Sequence, residues 1–303
     1  MKIRIATRLS PLAMLQTNEV IKRIKSLDAE CVCEIVKIES DGDLTDAPLH
    51  LIGGKGLFVS KLEKALSNGI ADCAVHSLKD VPASLDAQFI IAATLPREEV
   101  GDALLLKNKF KINDLSKNLK IATSGPRRKA QLLAINSDLN IVPIRGNIQT
   151  RIDKMIANKF DGLVVAKAAL NRLNISHPNV YLFPEEQMLP AAAQGAIGIE
   201  INKENLKSQI GNLLQLINDQ STHEATEIER TVVAALQGNC LSPISALCKI
   251  NGQDAELNVR VSNQDGSEIY NQNKIFRLDN KIDALDDFIE KLIINDAKKI
   301  IQN

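Results

Sequence analysis

A strand-turn-helix rhythm that begins near residue 100 narrows the possible folds of this chain more than any other feature. Short apolar runs at 102–106, 119–123, 140–144 and 162–166 alternate with helical stretches that start at 126, 147 and 167. Strands separated by whole helices pair in parallel, with the helices covering the sheet. The first hundred residues have the same grammar. Residues 2–7 alternate as a strand, and Arg8-Leu9-Ser10-Pro11 turns into a helix to about Lys25, with Ser10 as N-cap and Pro11 at the first helical position. A second strand reads at 31–38, a helix at about 57–68, and a short strand from Ala71 to His76. The expected fold class is α/β.

Ligands of such sheets bind at the carboxyl ends of the strands. The third strand ends in Ser77-Leu78-Lys79-Asp80-Val81-Pro82, a polar turn that is either a ligand site or a plain Lys-Asp ion pair. Two later strand-to-helix turns are strongly basic: Thr123-Ser124-Gly125-Pro126-Arg127-Arg128 and Arg145-Gly146-Asn147-Ile148-Gln149-Thr150-Arg151. Cations at a helix start are unfavourable by about 0.3–1 kcal/mol each, so arginines at two such turns point to an anion that offsets them, with solvated surface arginine as the plainer alternative. Gly53-Gly54-Lys55-Gly56 lacks the full spacing of a nucleotide-binding loop and the hydroxyl residue after its lysine. It reads as a flexible loop carrying one lysine.

Farther on, 189–201 reads as a small-residue turn containing Gln194 followed by a strand, then helices at 204–217 and about 221–236. Gly238-Asn239, a pair suited to positive φ, ends the second helix, and Pro243 blocks its continuation. Cys240 is therefore presented on a tight loop, whereas Cys31, Cys33, Cys73 and Cys248 fall in apolar runs where a thiol is a small buried hydrophobe. Strand-like runs near 244–250, 255–262 and 268–277, joined by turns at Asn251-Gly252 and Asp265-Gly266, predict hairpins. A last helix over about 281–301 offers Ile282, Leu285, Phe288, Ile289, Leu292 and Ile293 as its apolar face.

Totals then exclude several classes of function. A length of 303 residues predicts two or three domains. Aromatics at 3% without tryptophan argue against a nucleic-acid stacking platform, and 37 basic against 37 acidic residues leave no general field for a polyanion. The start of the chain reads as a strand and not as a signal peptide, and no apolar run approaches the ~20 residues of a membrane span. Five cysteines without a paired framework fit a reducing cytoplasm, and the four histidines, His50, His76, His177 and His223, are scattered with no metal motif.

Seven segments in order then resemble the porphobilinogen deaminase (hydroxymethylbilane synthase) family over essentially the whole chain. They are Arg4-Ile-Ala-Thr-Arg-Leu-Ser-Pro-Leu-Ala13, Gly53-Gly-Lys-Gly-Leu-Phe58, Ala74-Val-His-Ser-Leu-Lys-Asp-Val-Pro82, Arg127-Arg128, Arg145-Gly-Asn-Ile-Gln-Thr-Arg151, Gln194-Gly-Ala-Ile-Gly-Ile-Glu200 and Gly238-Asn-Cys240. The resemblance implies two β/α domains similar to the lobes of periplasmic binding proteins, plus a small C-terminal α+β domain. Domain 1 is expected at 1–95 and 191–215, domain 2 at 96–190, and domain 3, carrying the cysteine loop, at 216–303. It also implies a dipyrromethane cofactor held by a thioether to Cys240, on which four porphobilinogen molecules are joined head to tail with release of ammonia.

Within that resemblance Asp80 is the catalytic carboxylate, because a positively charged pyrrole must be stabilised and its protons handled. Each ring carries an acetate and a propionate. Arg8, Arg127, Arg128, Arg145, Arg151 and Arg172 are then expected to clamp carboxylates, joined by Ser10, Ser77, Lys79, Thr123, Ser124, Gly146 and Asn147. Gln16 and Gln194 are expected to line the site, Lys55 to belong to the loop over it, and Phe58 to cover a pyrrole. The expected partner is porphobilinogen alone, with no nucleic acid or membrane, in a cytoplasmic monomer. Gly125-Pro126, Leu51, Asn239 and Ala192-Ala193 depart from the family pattern. The alternatives are a non-catalytic two-lobed binding protein for a small carboxylate, and a cysteine hydrolase, which would need a histidine such as His223 beside Cys240.

Overall fold

Alternation over the first residues builds a strand, and the Ser10-Pro11 step that follows starts a helix. Ser10 Oγ accepts from the Ala13 amide at 3.2 Å, and Pro11 lies in the first turn, where its missing N–H costs nothing. The computed structural model describes residues 1–39, 59–108, 119–157, 159–239, 241–295 and 297–302. They divide into two units, Met1–Glu98 with Gly195–Glu224, and Glu99–Gln194 with Ala225–Asn303.

In the first unit, with elements numbered in chain order, β1 (Lys2–Arg8) is followed by α1 (Pro11–Leu27), β2 (Val32–Ile38), α2 (Ser60–Ser67), β3 (Cys73–Ser77) and β4 (Phe89–Thr94). The chain returns as β10 (Ile197–Asn202) and α6 (Gln209–Leu216). The sheet order is β2-β1-β3-β10-β4. β1 runs parallel to β2 and β3, while β10 is antiparallel to both β3 and β4. Period-2 alternation divides its side chains between two cores. Ile3, Ile5, Val75, Ile197 and Ile199 meet Val20 and Ile24 of α1, and Ala6, Ala74 and Phe89 meet Leu62 and Leu66 of α2. Each fully buried aliphatic chain contributes roughly 1.5–3 kcal/mol.

The second unit has β5 (Asp102–Leu106), β6 (Lys120–Ala122), α3 (Pro126–Ile135), β7 (Asn140–Val142), α4 (Ile148–Ile156), β8 (Gly162–Ala166), α5 (Lys167–Arg172) and β9 (Val180–Leu182) in the order β7-β6-β8-β5-β9. The alternation predicts a parallel sheet, and β6 is indeed parallel to β7 and β8. β5 is not: it runs antiparallel to β8 and β9, so the sheet is mixed. β4 and β9 are strands that the sequence reading did not single out.

The rest of this unit is α7 (Gln220–Ala235, its first turn in the other unit), the antiparallel sheet β11 (Ile244–Asn251), β12 (Asp254–Ser262) and β13 (Ile269–Arg277), and helices α8 (Lys281–Ile294) and α9 (Ala297–Gln302). Ile228, Val232, Val259, Val261, Phe288 and Leu292 form its core. The predicted single helix over 281–301 is two helices, and Ile282 and Ile293 are 72% and 43% exposed instead of facing that core. The positive φ expected at Gly238-Asn239 falls on Gln237, at 56°. At Gly238 a Cβ would lie 2.5 Å from Ile244 Cδ1, so the end of that side chain would have to shift. Among the described residues no helix is long and apolar enough to cross a membrane, and no cluster of three or more His, Cys, Asp or Glu is placed to hold a metal.

Candidate functional site

At the carboxyl ends of β1 and β3 the chain turns into α1 on one side and a short 3₁₀ turn, Leu78–Asp80, on the other. Between them is a cavity of about 70 Å³ lined by Arg8, Ser10, Gln16, His76, Ser77 and Asp80, with Leu12, Ala13, Val59 and Val75 as its apolar wall. Each polar lining residue has a local reason for its place. Arg8 ends a strand that the sheet fixes on both sides, and Ser10 is held as the cap of α1. Gln16 is buried, its Nε2 donating to Ser77 Oγ at 2.8 Å, so α1 is tied to the end of β3. Asp80 is exposed and Lys79 half-buried. The structure thus brings together five predicted residues in one cavity, a cation and a carboxylate among them. His76 joins them unpredicted, and sequence had offered one signal for it, its place within the Ala74–Pro82 segment.

In the second unit the two basic turns behave differently. α3 starts at Pro126 with Gly125 as its cap, and α4 is capped by Asn147, whose Oδ1 accepts from the Thr150 amide at 2.9 Å. Gly146 has φ +106° and a Cβ there would lie 2.9 Å from Thr150 Cγ2, so this turn needs glycine twice over. Arg151 folds back, its Nε donating to the Gly146 carbonyl at 2.7 Å, and Arg145 beside it is half-buried. Ser124 links the two turns: its hydroxyl donates to the Ile144 carbonyl and accepts from the Ile144 amide at 2.8 Å. Thr123 is buried beneath, and Arg172 ends α5.

Arg127 and Arg128 already hold a carboxylate, that of Asp102, which is fully buried on β5. Arg127 Nη2 reaches Asp102 Oδ2 at 2.6 Å and its Nη1 donates to the Leu189 carbonyl at 2.7 Å. Arg128 grips Oδ1 side-on, with Nε at 3.0 Å and Nη2 at 2.7 Å. Gln194 Nε2 donates to the same Oδ1 at 3.0 Å and to the Val100 carbonyl at 2.7 Å. Burial pushes the Arg127 guanidinium below its ordinary value while Asp102 holds it up. Arg127 and Gln194 are therefore buried struts in this arrangement, and Asp102 is a member that sequence read only as part of a strand.

Lys55, Phe58 and Cys240 lie outside the described residues. The other four cysteines form no disulfide among the described residues, with Cys31, Cys73 and Cys248 buried and Cys33 half-buried. Burial and the neighbouring Cys31 push the Cys33 thiol up to about 11, and burial raises Cys73 as well, so both stay protonated and inert near neutral pH.

Comparison with known proteins bears on this geometry directly. The family model described as "Porphobilinogen deaminase, dipyromethane cofactor binding domain" matches residues 3–209, which span both the Asp80 cavity and the arginine turns. Curated relatives named porphobilinogen deaminase include those of Lawsonia intracellularis, 40% identical over 88% of this chain and 86% of the relative, and Campylobacter hominis, 39% identical over 98% of each. That of Campylobacter curvus is 38% identical over 89% of this chain and 87% of its own. A looser likeness of fold links the chain to the Escherichia coli aliphatic sulphonate binding protein SsuA, 13% identical with a TM-score of 0.41 over 78% of this chain and 70% of that one. The family match and the near full-length relatives agree with one another, and the chain belongs to the porphobilinogen deaminase family.

Proposed function

We propose that this chain is a transferase that condenses four porphobilinogen molecules head to tail on a dipyrromethane joined by a thioether to Cys240, releasing ammonia at each addition and finally hydroxymethylbilane. In this reading it acts in the cytoplasm as a monomer, without nucleic acid or membrane. The observation that carries it is the cavity above β1 and β3, where Asp80 stands exposed in a wall that also holds Arg8, Ser10 and the Gln16–Ser77 pair.

The donor set suits a polycarboxylate. Arg8 with the capped start of α1 and Arg145 and Arg151 with the capped start of α4 combine guanidinium donors with helix N–H groups. Arg128 directs both Nε and Nη2 to one oxygen of Asp102, so a guanidinium edge already serves a carboxylate in this unit. When bound, the dipyrromethane supplies a free pyrrole α-carbon as nucleophile and a set of acetate and propionate groups. Arg8, Ser10, Lys79, Arg128, Arg145, Arg151 and Arg172, with Thr123, Ser124, Gly146 and Asn147 shaping the turns, are proposed to bind those groups and the substrate's own. Arg127 and Gln194 are proposed to support Arg128 through Asp102.

Asp80 has the chemical role. Loss of ammonia from the aminomethyl carbon leaves the substrate's pyrrole positively charged, and a fixed carboxylate near the ring nitrogen stabilises that charge without reorganising solvent. It can also take the proton released when the new carbon-carbon bond has formed. The test is turnover of porphobilinogen by purified protein, following ammonia and linear tetrapyrrole together, with Asp80→Asn in parallel. The proposal expects four ammonia per tetrapyrrole and a loss of about 10²–10³-fold in the variant. Substrate that binds and is recovered intact would instead make the chain a binding protein.

A further inference from the structure

The Asp80 cavity has one wall that this mechanism leaves unused. His76 lines it, yet its side chain is only 5% exposed, and its Nε2 lies 2.9 Å from Oε2 of Glu200, which is fully buried. Glu200 stands on β10 opposite Ala74, at a shift of register against β4, and His76 stands opposite Gly198, so histidine and carboxylate are diagonal neighbours on the α2 face of the sheet. Such irregularities re-aim side chains beside functional sites. Gly198 puts no side chain between the two. The other oxygen, Oε1, is buried and has no hydrogen-bond partner among the described residues, a costly arrangement for a group whose role is only to fill space.

The electrostatics of this corner favour a cation. Glu63 on α2 faces the same pair, and burial first and the Glu200 charge second hold its carboxyl above the usual range. Among the described residues, the groups around His76 are therefore Glu200 from β10, Glu63 from α2, Asp80 from the 3₁₀ turn and, as the one cation in the cavity wall, Arg8 from β1. With Nε2 engaged by Glu200, Nδ1 is the ring nitrogen with no bond to a described residue. An imidazole that donates from Nε2 presents a lone pair at Nδ1.

We infer that His76, oriented by Glu200, is the site that receives the leaving ammonium group of the substrate. This rests on the function proposed above. The aminomethyl group is an ammonium at neutral pH. One of its N–H bonds is donated to His76 Nδ1, which turns the carbon-nitrogen bond away from Arg8 and toward the acidic corner. That bond breaks with its electron pair going to nitrogen. Ammonia departs, the pyrrole keeps the single positive charge, and no proton passes to His76, so charge and atoms balance. His76 touches the reacting group; Glu200 is a positioning residue.

The test compares porphobilinogen with its analogue bearing hydroxyl in place of the amine. His76→Gln keeps a donor for Glu200 and removes the Nδ1 acceptor, so kcat/KM for the amine substrate should fall roughly 10- to 100-fold, the weight of one hydrogen bond to a charged group, chiefly through a rise in KM. The hydroxyl analogue should change less than about threefold, and Glu200→Gln should follow the same pattern more weakly. Equal losses on both substrates would make the pair structural and overturn the inference while leaving the function standing; wild-type protein that releases no ammonia would overturn the function itself. A second readout needs no turnover. With four histidines in the chain, the His76 ring nitrogens are assignable by NMR, and Nδ1 should shift on adding methylammonium but not tetramethylammonium, which has no N–H. An unmoved Nδ1 resonance would overturn the inference, whichever substrates are turned over.

Discussion

At the scale of single residues, what was legible in the sequence was what a few neighbours decide. Ser10 caps α1 and Pro11 follows it as predicted, because capping depends on residues within one turn. The same locality makes Asn147 a cap and Gly146 obligatory. Arg127 was legible only as a basic residue at a helix start, since its partner Asp102 lies 25 positions earlier and reads as part of an apolar strand. The sequence pointed to a ligand carboxylate there, whereas the carboxylate that Arg127 holds in the structure is the protein's own Asp102. That makes a prediction about stability. Arg127→Leu removes one of the two cations from a fully buried aspartate and one of the two donors to the Leu189 carbonyl, so it should destabilise the fold by about 3–5 kcal/mol. Arg127→Lys should recover little of this, because a point charge cannot serve both acceptors. Denaturant midpoints measure the effect; a loss below about 1 kcal/mol would return Arg127 to the ligand-facing set.

At the scale of elements, the β/α rhythm gave most strands and helices but not their directions. β5 was legible as a strand, yet its antiparallel pairing with β8 rests on a crossover that no local pattern encodes. β10 was legible too, but its place between β3 and β4 joins residues more than 100 positions apart. A contact of equal range joins α3 to the C-terminal sheet. Gln131, buried on α3, fills all four hydrogen-bonding positions of its amide: Nε2 donates to Ser245 Oγ and the Leu189 carbonyl, each at 3.0 Å, and Oε1 accepts from the Leu189 amide at 2.8 Å and Arg260 Nη1 at 2.7 Å. The Asp265-Gly266 turn, read from sequence as a hairpin, packs on the same helix so closely that a Cβ at Gly266 would lie 2.0 Å from the Ala130 carbonyl. Gln131→Leu should therefore cost on the order of 3 kcal/mol and lower the unfolding midpoint of this unit. A wild-type midpoint would show that the sheet is held to α3 by apolar contact alone.

At the scale of the whole molecule, the residues proposed to carry chemistry fall in two separate units. The Asp80 cavity belongs to the unit of Met1–Glu98 and Gly195–Glu224, and the arginine turns to the unit of Glu99–Gln194 and Ala225–Asn303. That assignment was not readable from local pattern, because a discontinuous unit is made by long-range pairing such as that of β10. The proposed site residues come from seven short segments that occur in family order, and that order survives even where the intervening structure is unknown from sequence. The proposed anchor, Cys240, has the least local support of any of them, since a cysteine on a turn is ordinarily inert. The most direct measurement is the intact mass of the purified protein beside that of Cys240→Ser. The account predicts a mass excess equal to one dipyrromethane on the wild type, located to the peptide that contains Cys240, and an unmodified, inactive variant. Active wild-type protein at its unmodified mass, or an adduct that persists in Cys240→Ser, would contradict it.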